Sequence, residues 1–153
     1  MEFADEHDWK NYPELTNAQI EAYGLLSPHE QILHDFTGTC IKVHDGDTIT
    51  IRTDFRDFDF PIRFSTIDAP ELNTGEPGET ARDWLKEQIE GKEVDVKINV
   101  KNRVEKWGRL LGDVHCMGMS LGDTEISLGL AVPYGKAKEG EVPNIEKVFK
   151  EMI

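Results

Sequence analysis

Hydrophobic positions change their period along this chain, and the change marks its organisation. From residue 38 onward, short runs rich in Ile, Thr, Val and Phe at 39–43, 48–53 and 58–67 read as strands. The first two are joined by His44-Asp45-Gly46-Asp47, a turn sequence in which Gly46 is expected where a positive φ costs little. The second and third are joined around 54–57, so three antiparallel strands make a meander. Residues 68–78 read as loop, punctuated by Pro70, Gly75, Pro77 and Gly78. The period becomes helical over 79–90, where Ala81, Trp84, Leu85 and Ile89 share one face and Gly91 is a suitable stop. Val94, Val96, Ile98 and Val100 then alternate inward along a strand over 94–100. Residues 110–117 read as a fifth strand and 121–128 as a short helix. A last helix is expected over 143–153, with Ile145, Val148, Phe149 and Met152 on one side.

Residues 1–35 stand apart as an acidic helical appendage to a domain over 36–153. Thr16 and Ser27 are suited to capping two short helices, with Pro28 in a first helical position and Gly24 as a stop. The order strand, strand, strand, helix, strand, strand, helix is α+β. Five short strands with one inserted helix and short C-terminal helices fit a partly open Greek-key barrel.

Charge narrows the partners. Thirty Asp and Glu against 17 Lys and Arg give a formal net charge of -13, which argues against tight, non-specific grip on duplex DNA. Over half of the excess lies in the first 35 residues, which carry eight acids and one base, Lys10. Trp9 and Tyr12 in that acidic arm suggest docking, either on the barrel or on a protein partner. An arm that covers a basic site as a nucleic-acid mimic is a further expectation. No apolar run approaches the roughly 18 residues that span a bilayer, and the first ten residues lack the pattern of a secretory leader. An intracellular chain, or a mature form without its leader, is therefore expected. Cys40 and Cys116 are too few for a disulfide framework or a zinc site and read as small buried hydrophobes.

Three separated clusters carry candidate chemistry. They are Asp45-Gly46-Asp47-Thr48 in the first turn, Arg63 followed by Asp68-Ala69-Pro70-Glu71 at the end of the third strand, and Glu105-Lys106-Trp107-Gly108-Arg109 before the fifth. Each alone has an ordinary reading: a hairpin turn, a strand end closed by Pro, an exposed aromatic turn. Together they supply what phosphodiester cleavage needs. Asp oxygens suit a hard divalent ion, a carboxylate can position or deprotonate water, and guanidinium groups match the charge that develops on phosphate oxygens. His44, beside the turn, is a soft donor among hard ones and reads as a bystander.

The stretches VHDGDTITI, PIRFSTIDAPE, GETARDWLKEQIEGKEVDVKI, EKWGRLLGDV and SLGLA resemble, in order and spacing, the staphylococcal-nuclease-like (thermonuclease) family across nearly all of residues 38–135. The resemblance implies an OB-type five-stranded barrel and Ca²⁺-dependent hydrolysis of DNA and RNA, single strands preferred, leaving 3′-phosphate ends; Mg²⁺ or Mn²⁺ is the alternative ion. It implies Asp47, Asp68 and the carbonyl of Ala69 as metal ligands and Glu71 as the residue that orients or deprotonates water. Arg63 and Arg109 are implied as the phosphate-binding cations, with Asp45 and Thr48 supporting the turn. The sequence departs from the family at Glu105, where Asp is common, and at Trp107, where Tyr is common; Trp107 keeps a face for stacking, and Lys106 can meet a phosphate. Tyr134 stands about one place from the family's nucleotide-contacting tyrosines, so substrate contact and a structural role both stand open for it. The competing reading is a non-catalytic module of this fold that binds, or builds, a larger assembly.

Overall fold

The computed structural model describes residues 7–24, 27–72, 75–105 and 108–135. In chain order these form α1 (Asn17–Tyr23), β1 (Phe36–Asp45), β2 (Thr48–Arg52), β3 (Phe60–Phe64), β4 (Ile67–Asp68), α2 (Glu76–Ile89), β5 (Glu93–Lys97), β6 (Leu110–Cys116), β7 (Met119–Ser120), α3 (Leu121–Ser127) and β8 (Val132–Pro133). The main sheet runs β3-β2-β1-β5-β6-β7, and β3 also pairs with β6. That last pairing is parallel, with Ile62 opposite Leu110, Arg63 opposite Leu111 and Phe64 opposite Gly112. It closes β1, β2, β3, β6 and β5 into a five-stranded mixed barrel, the expected α+β OB-type architecture. The barrel is closed rather than partly open, so these five strands leave no long unpaired edge.

Period-2 alternation builds the interior. Ile49, Ile51, Phe60, Ile62, Phe64, Val94, Val96, Leu110 and Val114 point inward and are buried. Leu85 and Ile89 of α2 belong to the same core. Burying each such side chain stabilises the fold by roughly 1.5–3 kcal/mol before entropy is counted. Cys40 and Cys116 lie there as buried free thiols, and burial pushes the Cys40 thiol up to about 12.

Four expectations are corrected. Helix α2 starts at Glu76, with Pro77 and Gly78 inside its first turn rather than in a loop. Proline is tolerated there because the first N–H groups of a helix have no partner inside it. Strand β5 ends at Lys97, and Val100 is exposed rather than inward. Gly46 is absent from the glycines at positive φ. It is needed for close approach instead: a Cβ there would stand 2.7 Å from the Ala69 Cβ, 2.9 Å from the Ala81 Cβ and 2.9 Å from Glu125 Oε1. Thr16 caps α1 in a capping box with Gln19, but no helix follows Ser27 among the described residues. The Ser27 hydroxyl donates to the His29 carbonyl (2.6 Å), Gln31 bonds back to Leu15 N and Pro13 O, and Ile32 N donates to Glu14. Those partners hold 27–32 against 13–15. The helix expected over 143–153 lies outside the described residues.

The N-terminal arm docks on the barrel. Glu14 is fully buried and bridges two arginines from distant parts of the chain: Arg56 Nη2 lies 2.8 Å from Glu14 Oε2 and Arg103 Nη2 lies 3.0 Å from Glu14 Oε1. Arg103 also donates to the carbonyls of Ile32 (2.7 Å) and Leu15 (3.0 Å). Arg56 lies over the rings of Phe58 and Phe60. Buried charges of this kind persist only where paired and hydrogen-bonded.

Candidate active site

The β1–β2 turn, the end of β3 and the chain just past β4 meet at one place. The Asp45 carboxylate accepts the Asp47 N–H (3.0 Å), an Asx-type turn that fixes the tight connection between β1 and β2. Phe64 N donates to the Asp47 carbonyl (2.8 Å) and ties the turn to β3. Asp47 Oδ2 accepts from Ala69 N (2.9 Å), and Thr48 Oγ1 donates to Asp47 Oδ1 (3.1 Å). Arg63 lies between the acids. Its Nη2 is 2.7 Å from Asp68 Oδ1 and 3.3 Å from Asp47 Oδ2, and its Nη1 donates to the carbonyls of Phe64 and Ile67. Asp68 Oδ2 accepts from Gly135 N (2.7 Å), and the exposed Tyr134 ring lies 6.0 Å from the Arg63 guanidinium. The short β4–β8 pairing, Ile67 opposite Pro133 and Asp68 opposite Val132, carries Tyr134 there.

Glu71 is exposed on the segment between β4 and α2. Arg109 directly precedes β6 and forms an ion pair with Glu105 (2.5 Å). Leu110 points into the core, so alternation puts Arg109 on the outer side of the strand that neighbours Arg63. Lys106 and Trp107 lie outside the described residues. His44 bonds Thr50 Oγ1 (2.6 Å), and the two acids of the turn are held by other partners.

Sequence reasoning missed Glu125. It lies one helical turn after Leu121 on α3, so period alone puts it on the buried stripe, and it is fully buried with neither carboxyl oxygen partnered. Burial, then the charges of Asp47 and Asp45, hold its pKa well above the usual carboxylate range against the pull of Arg63. Burial likewise raises Asp47, to about 7, with Arg63 opposing and Asp45 adding to the rise. The Asp45–Asp47 turn thus has Arg63 beside Asp47 and the buried Glu125 carboxyl packed close to Gly46.

The acids exceed the cations at this site, and two carboxylates converge on a single nitrogen. That donor set fits a hard divalent ion. Among the described residues no three His, Cys, Asp or Glu side chains converge to hold a metal. An ion there would complete its shell with carbonyl oxygen and water, as hard cations commonly do.

The sequence profile described as Staphylococcal nuclease homologue matches residues 61–151. The chain belongs to the staphylococcal nuclease homologue family. The match to this nuclease family begins at β3 and takes in Arg63, Asp68, Ala69, Glu71 and Arg109, while the turn that carries Asp45 and Asp47 precedes it. The staphylococcal-like nuclease CAN1 of Arabidopsis thaliana is 36% identical over 83 residues, covering 52% of this chain and 24% of the relative. This chain therefore spans about a quarter of that relative's length. No helix among the described residues is long and apolar enough to cross a membrane.

Proposed function

We propose that this nuclease-family chain hydrolyses phosphodiester bonds in single-stranded DNA and RNA in the presence of Ca²⁺, leaving 3′-phosphate ends. The observation that carries the reading is the convergence of Asp47, Asp68 and Arg63 at the mouth of a closed OB-type barrel. Asp47, Asp68 and the Ala69 carbonyl would hold the ion. When bound there, it supplies the charge that draws in a phosphate and acidifies a water.

The protein groups divide the remaining work. Arg63 is held through Nη1 by the Phe64 and Ile67 carbonyls and through Nη2 by Asp68, and a phosphate oxygen competes with Asp47 for the longest of its contacts. Arg109, partly exposed beside Glu105, supplies a second guanidinium from the neighbouring strand end. Two such donors stabilise charge developing on the phosphoryl oxygens. Glu71, exposed on its loop, orients the attacking water or takes its proton. Tyr134 offers a ring for a base or sugar beside Arg63.

Mass spectrometry of the products from short single-stranded DNA and RNA oligonucleotides, incubated with Ca²⁺, Mg²⁺, Mn²⁺ or EDTA, tests the reading. The expected result is fragments ending in 3′-phosphate with Ca²⁺ and intact strands in EDTA. Intact strands with every ion, from folded protein, would overturn it in favour of a binding or structural role.

A further inference from the structure

Resting on the nuclease reading for Arg109, we infer that the N-terminal arm is a brace that positions the hairpin carrying this arginine. Residues 103–105 run antiparallel to 109–111. Leu111 N donates to Arg103 O (2.7 Å), Glu105 N donates to Arg109 O (2.9 Å), and Val104 bridges Leu110. One arm residue holds this hairpin at both ends. The Glu14 carboxylate binds the Arg103 guanidinium at the base, and the Glu14 N–H donates to the Gly108 carbonyl near the tip (3.1 Å).

The fit at the tip is close enough to specify glycine. Gly108 has φ +107, and a Cβ there would lie 2.9 Å from the Glu14 carbonyl oxygen and 3.0 Å from the Tyr12 Cβ. The arm therefore touches the residue adjacent to Arg109. Its buried acid is spent on Arg56 and Arg103, so its role is to hold a cation in place rather than to cover one. Arg109 faces outward, and among the described residues its ion-pair partner is Glu105 of the same hairpin, so its direction depends on where the hairpin stands. Glu14 and Gly108 are positioning residues, and Arg109 is the group that meets substrate.

The test uses the full chain with Glu14→Gln, Gly108→Ala and, as a control on the exposed face of α1, Glu21→Gln. The first readout is independent of activity: the NMR signal and solvent exchange of the Arg109 Nε–H, compared with those of Arg63. Both brace variants are expected to speed Arg109 exchange, leave Arg63 unchanged and keep the barrel amides protected, while Glu21→Gln resembles wild type. The second readout is a double-mutant cycle with Arg109→Ala. Because displacing a catalytic group by about 1 Å costs on the order of 100-fold, Gly108→Ala is expected to lower kcat 10- to 100-fold, by the same estimate, in the native background and by less than threefold once Arg109 is absent. Unchanged Arg109 exchange in both brace variants would overturn the inference, as would equal losses with and without Arg109. A wild type that cuts nothing, with the exchange result intact, would remove the nuclease reading and leave the brace standing. If Glu14→Gln fails to fold, Gly108→Ala, which removes no charge, carries the test.

Discussion

Replacing Glu125 with Gln separates the charge of this side chain from its shape. Glu125 is fully buried, and neither of its oxygens has a hydrogen-bond partner among the described residues. Its pKa is raised by burial first and by Asp47 and Asp45 next, so the folded protein holds this proton more tightly than the unfolded chain does. Stability from that proton is fully present below the unfolded value of 4.5 and is lost as pH rises toward the folded one. One proton of difference corresponds to a slope of about 1.4 kcal/mol per pH unit. Glutamine has no such proton, so the advantage of Glu125→Gln should widen by that slope while the wild-type carboxyl stays protonated. Each pH unit above 4.5 through which the folded carboxyl stays protonated adds about 1.4 kcal/mol to that gain, or roughly 3–6 °C in Tm for a chain of this size. Asp47 titrates in both proteins, so most of its contribution cancels. Urea unfolding in EDTA at pH 4.5, 5.5 and 6.5, monitored by tryptophan fluorescence, measures the difference directly. Parallel stability profiles for the two proteins would refute the reasoning, because Glu125 would then have to find a partner or ionise without cost.

Further expectations concern the same framework. Gly46→Ala drives a Cβ into Ala69, Ala81 and Glu125; overpacking of this kind costs about 1–3 kcal/mol, and calorimetry should show a lowered Tm together with weakened Ca²⁺ binding. Arg103→Met strips one of the two cations from buried Glu14 and is expected to cost roughly 3–5 kcal/mol in urea unfolding, as loss of one partner of a buried ion pair does. Its replacement without measurable destabilisation would mean that Arg56 alone satisfies the acid. With a net charge of -13, substrate binding should not show the roughly 10³-fold or greater loss between 50 and 200 mM salt that a basic grip shows; a titration of KM against NaCl measures this, and a loss of that size would point to a concentrated phosphate-binding patch.

Much of the fold was legible because the barrel's strands obey period 2 and their turns are polar. The runs at 39–43, 48–53 and 110–117, the Thr16 cap and the helix after Ser120 all emerge from local pattern. What local pattern could not supply is partner identity. Glu14 reads as one acid among eight in the arm, yet its partners lie 42 and 89 residues away, and the buried ion pairs form only when the barrel brings Arg56 and Arg103 together. Gly46 carries the glycine of a common turn sequence, and only the close packing of Ala69, α2 and α3 shows that its missing side chain matters more than its φ. Pro77 and Gly78 read as loop residues because a helix's first turn makes few demands that sequence can display. At the site itself, the acids and Arg63 stood out by residue type, whereas the closure of β3 on β6, which sets Arg63 beside the strand that Arg109 precedes, follows from topology.

Single-turnover cleavage of a fluorescent single-stranded DNA oligonucleotide, with Ca²⁺ and with EDTA, by wild type and Arg63→Ala tests the central claim most directly. The expected result is cutting by wild type with Ca²⁺, none in EDTA, and a loss on the order of 10²-fold or more in the variant, the size seen when a donor to developing charge is removed. Cutting that persists in EDTA, or an Arg63→Ala variant as fast as wild type, would contradict it.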